Sequence, residues 1–394
     1  MDLRRSGPLK LTELCLKNFR NYSNLKLNFK KPIILFFGAN AQGKTNLLEA
    51  IYYLATGKSH RAQKEKELIR WETSGFYLKG ELEKEQAQYT LEIITNYQNG
   101  KNKNLKVNNL SQTNTRNFLK TMNVVIFSPE DLMLVKGTPD NRRRFIDQEI
   151  TQVDPSYDFY LKNYFKALRQ RNKLLKTYQD KNTLAQHLPP WNQQLVHYGS
   201  KIILKREEVI HKIRLLARLI YRKITNQTEN LELDYSPSLE FEDCKFREQL
   251  SGEKLAHKFL NTLNENLQSD IEKRTTSIGP HRDDLIFKIN NKDARQFGSQ
   301  GQQRTTVLAL KMAELEMIKG EKGEFPILLL DDVLSELDDN RKKHLLNLTE
   351  GRVQTFVTST SMEDFNGDVD IKAKSQVFRI DNGEAVKLNA GNQE

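Results

Sequence analysis

A length of 394 residues with 37% hydrophobic and 29% charged residues indicates a globular chain of at least two domains and excludes wholesale disorder, because one core rarely exceeds about 300 residues. The lack of a long apolar run or an apolar export signal predicts a cytoplasmic protein with no membrane span, and two isolated cysteines, Cys15 and Cys244, exclude a disulfide framework or zinc site. The net charge of +11 is concentrated between residues 155 and 230, where fifteen Lys and Arg stand against five Asp and Glu, which favours a polyanionic partner.

The amino-terminal third of the chain has α/β patterning with antiparallel strands. Short apolar runs predict strands, and an i, i+3, i+4, i+7 apolar spacing predicts one amphipathic helix. The predicted elements are strands at 9–16, 33–37, 75–80, 89–95 and 104–107, a hairpin tip at Asn99-Gly100, and a helix from Lys44 to Leu54.

The middle of the chain is helical and basic. Helices are predicted at 157–178 and 191–224, and the break Leu188-Pro189-Pro190 between them favours an antiparallel helical hairpin. A strand at 231–235 and a helix at 253–273 follow before mixed α/β patterning resumes. We therefore expect one α/β domain, residues 1–154 and 276–394, interrupted by a mainly helical domain at 155–275.

A glycine-rich loop lies between the strand at 33–37 and the helix that begins at Lys44. Its residues, Gly38-Ala39-Asn40-Ala41-Gln42-Gly43-Lys44-Thr45, match the phosphate-loop pattern G-x-x-x-x-G-K-[ST]. In such a loop backbone N–H groups and the helix amino terminus bind phosphates, Lys44 reaches the β and γ phosphates, and Thr45 is a ligand for Mg²⁺. The sequence therefore predicts a nucleotide site.

Two carboxylates end a second aliphatic segment, Phe325-Pro326-Ile327-Leu328-Leu329-Leu330-Asp331-Asp332. Ligands of open α/β sheets bind at the carboxyl ends of strands. Asp331 is then placed to bind Mg²⁺, and Asp332 to orient or deprotonate an attacking water. A strand that ends in acids is common by itself, so this interpretation depends on the phosphate loop.

A serine and a glycine open the helix that precedes these acids, in Ser299-Gln300-Gly301-Gln302-Gln303. Taken singly, the segment is typical of a helix N-cap. The segment Ser335-Glu336-Leu337-Asp338 follows the acids. The order of these four motifs resembles the ATP-binding-cassette class of ATPases, in which the serine-glycine element caps the γ-phosphate bound by the opposite protomer.

Further segments narrow the resemblance to the RecF family of DNA repair and replication proteins. The match extends from about residue 9 to 380, and this family is similar to the ATPase heads of chromosome-maintenance (SMC) proteins. The fold it implies is an α/β, ABC-type P-loop ATPase head with an inserted, mainly helical second domain. The segments are Asn18-Phe19-Arg20-Asn21-Tyr22, Gly57-Lys58-Ser59-His60-Arg61, Phe127-Ser128-Pro129-Glu130-Asp131-Leu132, Lys136-Gly137, Arg142-Arg143-Arg144-Phe145-Ile146-Asp147 and Ser277-Ile278-Gly279-Pro280-His281-Arg282-Asp283-Asp284.

The resemblance implies a function as well as a fold. ATP would be held between two protomers, the homodimer would clamp single-stranded, gapped or junction DNA, and weak DNA-stimulated ATP hydrolysis would release it. RecO and RecR would be partners in loading recombinase. The implied roles are catalysis for Lys44 and Asp332, Mg²⁺ binding for Thr45 and Asp331, and ATP contacts for the phosphate loop, Arg20, Arg61, Ser299, Gly301, Gln302 and Asp338.

Two positions depart from the cassette pattern. Asp332 stands where many cassette ATPases have glutamate, and its shorter arm predicts slow turnover. The histidine that transport cassettes carry after the next strand is replaced by Thr358-Ser359-Thr360, so a hydroxyl is the candidate for the γ-phosphate sensor. His281 is interpreted as structural and not as a substitute.

The basic helical segment has two interpretations. It is either a solvated cationic face, which is ordinary for exposed helices, or a DNA-binding surface. The resemblance and the charge concentration favour DNA. The predicted DNA contacts are Arg142, Arg143, Arg144, Arg169, Arg171, Lys173 and Lys176.

Two other classes of function use the same loop. A small-molecule phosphotransferase would turn over quickly on a metabolite without responding to DNA, and the serine-glycine element and the S-x-L-D segment count against it. The energising subunit of a membrane transporter is disfavoured by the missing histidine and the long basic insertion.

Overall fold

The computed structural model describes residues 8–84, 87–98, 102–178, 180–239, 252–338, 341–342, 345, 351–361 and 374–388. The predicted hairpin tip at Asn99-Gly100 and the second cysteine, Cys244, lie outside these residues. Within them, no helix is both long and apolar enough to cross a membrane.

The strands of the described chain agree closely with the predicted ones in the amino-terminal third, where β1, β3, β4, β5 and β6 match apolar runs. In chain order the strands are β1 Lys10–Phe19, β2 Tyr22–Asn28, β3 Ile33–Phe37, β4 Tyr77–Lys84, β5 Ala87–Asn96, β6 Asn102–Val107, β7 Leu110–Ser111, β8 Val124–Phe127, β9 Leu231–Ser236, β10 Asp284–Ile289, β11 Lys292–Asp293, β12 Ile327–Asp331, β13 Thr355–Ser359, β14 Ser375–Asp381 and β15 Glu384–Leu388.

The helices follow the predicted pattern in the middle of the chain, where the proline break separates two long helices. In chain order the α-helices are α1 Lys44–Thr56, α2 Thr115–Leu119, α3 Met133–Lys136, α4 Pro139–Val153, α5 Tyr157–Thr177, α6 Lys181–His187, α7 Pro189–Ile224, α8 Gly252–Glu265, α9 Leu267–Lys273, α10 Ala294–Phe297 and α11 Gln300–Lys322, with 3₁₀ turns at Glu65–Leu68, Pro129–Leu132 and Leu334–Glu336.

The chain divides into two compact units. The first comprises residues 1–131 and 311–394, and the second comprises residues 132–310. The second unit is wider than the predicted insertion of 155–275. It includes α4 and β10 because these elements pack on each other and α4 packs on α7 within that unit.

Two sheets and the helix α1 form the first unit. One sheet is antiparallel, with strand order β2-β1-β4-β5-β6-β7. The other has the order β15-β14-β3-β13-β12-β8 and is parallel except for β15. Helix α1 contacts strands of both sheets and buries Leu47, Leu48 and Ile51 in a core shared by them. Because α1 is covered on several faces, the loop before it is fixed at the edge of the parallel sheet.

The second unit is built on the helical hairpin of α5 and α7. The two helices are antiparallel, since Arg171 contacts Asn192 at one end while Tyr157 contacts Arg206 at the other. A small antiparallel sheet, β11-β10-β9, belongs to the same unit. The predicted hairpin is therefore confirmed, with α7 beginning at Pro189, where proline is well tolerated because the first helical N–H needs no partner.

Candidate functional site

The phosphate loop joins the end of β3 to the start of α1. Gly43, the last loop residue before α1, has φ 115°, a left-handed conformation that disfavours any side chain. A Cβ atom there would lie 2.5 Å from Asn21 Nδ2. Glycine is thus required at this position by both backbone conformation and space. Residues Gly38 to Gly43 form the loop, and Lys44 and Thr45 open α1.

Side chains from outside the loop hold its shape. Asn21 Nδ2 donates to the Gln42 carbonyl at 3.0 Å, and the Tyr22 hydroxyl donates to the Gly43 carbonyl at 3.0 Å. The Asn382 N–H donates to Gln42 Oε1 at 2.8 Å. The segment between β1 and β2 and the turn between β14 and β15 therefore both support the loop. No sequence signal indicated the contact with Asn382.

Lys44 lies inside the loop. Its Nζ donates to the carbonyls of Gly38 and Ala39, each at 2.8 Å. Burial lowers the pKa of the Lys44 ammonium group, while the nearby carboxylates of Asp332 and Asp331 act in the opposite direction. The ammonium group thus lies inside the loop, and its contact with the β and γ phosphates stays a prediction.

A hydroxyl-carboxylate cluster stands beside the loop. Thr45 Oγ1 donates to Asp331 Oδ1 at 2.9 Å, and Thr358 Oγ1 donates to the same oxygen at 2.9 Å. Burial raises the pKa of the Asp331 carboxyl, against the hydrogen bonds from the two threonines and the charge of Arg61. Thr45 and Asp331 are hard oxygen ligands of the kind that Mg²⁺ prefers. The structure thus brings together the two predicted magnesium ligands.

Asp332 follows in an unusual backbone conformation. Its φ of 57° turns the chain away from β12, and aspartate tolerates this region better than most residues. The Asp332 N–H donates to Thr358 Oγ1 at 2.9 Å, and its carbonyl accepts from Ser335 Oγ at 2.8 Å. Thr358 therefore contacts both acids, and its role as the γ-phosphate sensor stays a prediction.

Arg20 is held by a buried carboxylate. Its Nε and Nη2 donate to Glu49 at 2.8 and 2.9 Å, and its Nη1 donates to the Glu67 carbonyl at 2.8 Å. Although burial acts to raise it, the pKa of Glu49 is held below its usual range by hydrogen bonds from Arg20 and Ser59. The structure gives Arg20 this structural role, and its contact with a nucleotide stays a prediction.

Arg61 is exposed, and its N–H donates to Ser59 Oγ at 3.0 Å. Its charge is close enough to lower the pKa of Asp331, so it belongs to the surroundings of the loop. The neighbouring His60 packs edge to face on Tyr52, and burial lowers the pKa of His60 to about 4. The segment therefore places an exposed cation, Arg61, and a neutral ring near the site.

The serine-glycine element lies on the second unit and opens α11. Ser299 Oγ accepts from the Gln302 N–H at 3.2 Å, and Gln302 Oε1 accepts from the Ser299 N–H at 2.9 Å, which is a capping box. Gln302 Nε2 donates to Glu229 Oε1 at 2.7 Å. Ser299 is exposed, and Gly301, the second residue of α11, is half-buried. The predicted N-cap is thus confirmed, and its exposed amino terminus is suited to an anion.

Asp338 is exposed in the first unit, after the 3₁₀ turn Leu334–Glu336. Its Oδ1 accepts from the Arg341 N–H at 2.9 Å, and its Oδ2 forms an ion pair with the Arg341 guanidinium. Its contact with a nucleotide stays a prediction.

Two of the predicted DNA contacts are wrong. Arg142 is buried, and its Nε and Nη2 donate to Asp284 at 2.7 and 2.9 Å. Arg171 is 0% exposed and donates to Asp270 at 2.7 Å and to Asn192 at 2.8 Å. Neither side chain can reach a DNA phosphate without leaving a carboxylate unpaired inside the unit, which is costly.

The other predicted DNA contacts are more accessible. Arg143 is partly covered because its Nη1 donates to the Asp283 carbonyl at 2.7 Å, whereas Arg144 is exposed. On α5, Lys162 pairs with Asp158, and the other four exposed cations are spaced three, four and three residues apart, which puts them on one side of the helix. We call this set the α5 basic face, and it includes one lysine that sequence reasoning missed, Lys166, with Arg169, Lys173 and Lys176.

A buried ionic cluster joins residues from two of the segments on which the resemblance to the RecF family is based. Arg206 on α7 is 1% exposed, and its Nε and Nη2 donate to Asp147 on α4, each at 2.9 Å. Its Nη1 donates to the Pro280 carbonyl at 2.6 Å and lies 3.4 Å from Asp283 Oδ2. The segments 142–147 and 279–284 therefore stabilise the second unit.

His281 has the structural role that the sequence suggests. Its Nδ1 is 2.7 Å from the Tyr164 hydroxyl, and its Nε2 is 3.0 Å from the Thr276 carbonyl. Burial lowers the pKa of His281 to about 4, so the ring is neutral at pH 7.

Comparison with known proteins identifies close relatives. Residues 10–384 match the family model described as the RecF/RecN/SMC N terminal domain. The chain is 46% identical over 365 residues to the DNA replication and repair protein RecF of Bacillus cytotoxicus, covering 93% of this chain and 95% of that protein. It is 45% identical over 374 residues to the protein of the same name from Bacillus thuringiensis, covering 95% and 97%.

Solved structures agree with the fold. The structure described as the recombination mediator protein RecF-ATPrS in the RecFOR pathway has a TM-score of 0.88 and 38% identity, covering 98% of this chain and 100% of that chain. An SMC head domain of Pyrococcus furiosus has a TM-score of 0.52 at 16% identity, covering 97% of this chain and 96% of that chain, and it shows the fold alone. The predicted fold class is confirmed by both.

Proposed function

The chain belongs to the RecF family of DNA replication and repair proteins, and from this premise we propose that it binds ATP and Mg²⁺, dimerises around the nucleotide and holds gapped or junction DNA. The main support for this proposal is that Lys44, Thr45 and Asp331 lie close together. Thr45 Oγ1 is 2.9 Å from the Asp331 carboxylate, and Lys44 lies inside the loop. Because DNA is its proposed binding partner, we also propose that the protein acts in the cytoplasm.

Each group at the loop has a separate task in this proposal. Lys44 binds the β and γ phosphates, and Thr45 and Asp331 hold Mg²⁺. When bound, Mg²⁺ neutralises the charge of the phosphates. Asp332 orients or deprotonates the attacking water, and Thr358, which contacts both acids, is the candidate γ-phosphate sensor. The shorter arm of Asp332 predicts slow turnover.

Exposed groups at the start of α11 support the dimer. Ser299 presents its hydroxyl at the amino terminus of a 23-residue helix, where partial positive charge favours a phosphate. Phe297, two residues earlier, is 69% exposed and adds an accessible apolar side chain beside this helix terminus. In the proposed dimer Ser299, Gly301 and Gln302 of one protomer cap the nucleotide held by the other, with Arg61 and Asp338 at the seam.

We expect Ser299→Arg to abolish the ATP-dependent dimer while ATP binding is kept, since the phosphate loop is on the first unit and Ser299 is on the second. Sedimentation of wild type and variant with Mg²⁺ and a slowly hydrolysed ATP analogue measures the dimer, and equilibrium dialysis measures binding.

Ser299→Asp is the matched variant, because aspartate keeps the N-cap while its charge repels a phosphate. It should also be monomeric, whereas Ser299→Thr should dimerise. A wild-type protein that remains monomeric with ATP, or dimerises equally without it, would contradict the proposed sandwich.

The α5 basic face is the proposed DNA surface. Its four cations are exposed and lie on one side of a 21-residue helix, so they can follow a phosphate backbone. The exposed Arg144 adds a cation at α4.

Charge reversal of Arg169, Lys173 and Lys176 to Glu is expected to weaken DNA binding by similar factors for unrelated sequences, because phosphate contacts carry no base information. The log-log salt dependence should become less steep by about 0.9 for each duplex phosphate that the protein no longer neutralises. Titrations at several salt concentrations measure both effects. Reversal of the exposed Lys10, Lys30 and Lys31 on the first unit is the charge-matched control. Equal DNA affinities and equal salt-dependence slopes in the two triple variants would mean that the DNA-binding surface is not on α5.

RecO and RecR are the proposed partners in recombinase loading, since the related solved structure is described within the RecFOR pathway. The alternative function, a small-molecule phosphotransferase, predicts an ATP turnover that DNA does not change. Our proposal predicts weak turnover that DNA stimulates, so the rate with and without DNA distinguishes the two.

A further inference from the structure

Trp71 is an exposed tryptophan on the first unit. It lies between the 3₁₀ turn Glu65–Leu68 and β4, and 92% of it is exposed. The chain has only two tryptophans. Tryptophan is among the more buried residue types on average, so nearly complete exposure is unusual and leaves the whole indole accessible for a contact.

The turn that carries Trp71 is fixed by backbone hydrogen bonds. The Arg70 N–H donates to the Asn18 carbonyl at 3.0 Å, and the Thr73 N–H and hydroxyl donate to the Arg70 carbonyl at 3.2 and 2.8 Å. The Arg20 N–H donates to the Leu68 carbonyl at 2.8 Å. The indole is therefore presented at a defined place, beside the same β1–β2 segment that supports the phosphate loop.

Cations and a second aromatic ring lie at this end of the antiparallel sheet. The Lys66 Nζ is 5.5 Å from the centre of the Tyr97 ring, and the Tyr97 N–H donates to the Ser74 carbonyl at 2.8 Å. Lys17, at the end of β1, is exposed. Residues 58–72 contain five Lys and Arg against three Glu. The surroundings of Trp71 thus combine π faces with positive charge.

The chemistry around Trp71 favours a nucleic acid over a protein. A protein contact would surround the indole with an apolar patch, but its neighbours in the turn, Arg70, Glu72, Thr73 and Ser74, are all polar. Single-stranded nucleic acid needs only an aromatic platform for a base and nearby cations for the backbone.

We propose that Trp71 stacks on an unpaired base of DNA, with Lys66 and Arg70 close to the adjoining phosphates. The inference rests on the proposed DNA binding. It adds to that proposal a contact on the first unit that binds the unpaired part of a gap or junction. Stacking does not select among bases, because each base has a π face, so the contact distinguishes single-stranded from duplex DNA and not one sequence from another.

Fluorescence tests the stacking directly. In the Trp191→Phe variant Trp71 is the one remaining tryptophan, and oligo(dT) added with Mg²⁺ and an ATP analogue should quench its emission. Trp71→Ala should weaken binding of oligo(dT) by about 5- to 150-fold, the range for one stacked base, whereas Trp71→Phe should retain most of it. Affinity for blunt-ended duplex should stay unchanged in both.

Leu110→Ala is the control, since Leu110 is another exposed apolar residue of the first unit. Wild-type affinity for oligo(dT) in Trp71→Ala, or no quenching of Trp71, would overturn the inference and leave Trp71 as a protein contact. If the wild type binds duplex but not oligo(dT), the inference alone fails. If it binds neither with ATP present, the proposed function fails with it.

Discussion

Lys44→Ala is expected to weaken ATP binding by roughly 100-fold, whereas Asp332→Asn should leave ATP binding within about threefold and stop hydrolysis. The Lys44 ammonium group lies inside the loop, so its loss removes charge-assisted hydrogen bonds to the phosphates. In the proposed mechanism Asp332 acts on the attacking water, and its loss as a base should lower the rate by about 10² to 10⁴.

Asparagine is the right replacement at position 332 for a structural reason. The backbone there has φ 57°, which asparagine tolerates nearly as well as aspartate, so the substitution removes charge without adding strain. Equilibrium binding of a fluorescent ATP analogue and single-turnover hydrolysis measure the two effects. Lys10→Ala, an exposed lysine in β1, is the control for Lys44→Ala.

With hydrolysis blocked, Asp332→Asn should accumulate the ATP-bound dimer, which sedimentation would show. Equal loss of ATP binding in Lys44→Ala and Asp332→Asn would contradict the separation of roles. Retained hydrolysis in Asp332→Asn would mean that a group other than Asp332 orients or deprotonates the attacking water.

Arg206→Met should lower the free energy of unfolding of the second unit by about 3–5 kcal/mol. The substitution leaves Asp147 and the fully buried Asp283 without their cation, and it leaves the Pro280 carbonyl without a donor. Breaking a buried ion pair on one side is costly because the remaining charge has no solvent.

Trp191 on α7 allows this loss to be measured in the second unit alone. In a Trp71→Phe background it is the one remaining tryptophan, so its emission during urea unfolding follows that unit. Arg144→Ala is the control, because the Arg144 guanidinium is 67% exposed and its ion pair with Asp140 should contribute only about 0–1 kcal/mol. Equal urea midpoints for Arg206→Met and Arg144→Ala would mean that the buried cluster does not stabilise the unit.

Local patterns made much of the site predictable. The loop Gly38 to Thr45 and the acids after β12 each lie in one short segment, and strand, loop and helix signals agree there. The sheet edge then brings Thr45 to Asp331 across 286 residues, as parallel strands require.

The sequence did not predict which charged and aromatic side chains are buried and which are exposed. Arg142 and Arg171 belong to a basic segment, yet each faces inward because a carboxylate far along the chain, Asp284 or Asp270, is there to pair with it. Charge counting treats such arginines like the exposed Arg169, which lies two residues before Arg171. Trp71 is the opposite case, since an apolar residue before a strand suggests a core position and the structure exposes it.

The pairing of β3 has a consequence for how the chain is assembled during synthesis. In the parallel sheet Leu35 lies between Val357 and Val377, partners that are 322 and 342 residues further along. Gln42 in the loop likewise gains its hydrogen bond from the Asn382 N–H only after that residue has been synthesised. The second unit comes from one unbroken stretch, 132–310, and can close its own contacts earlier. The nucleotide loop is translated long before β13, so it is among the last parts of the molecule to gain its hydrogen-bonding partners. A ribosome that stalls before β13 leaves β3 without either neighbouring strand.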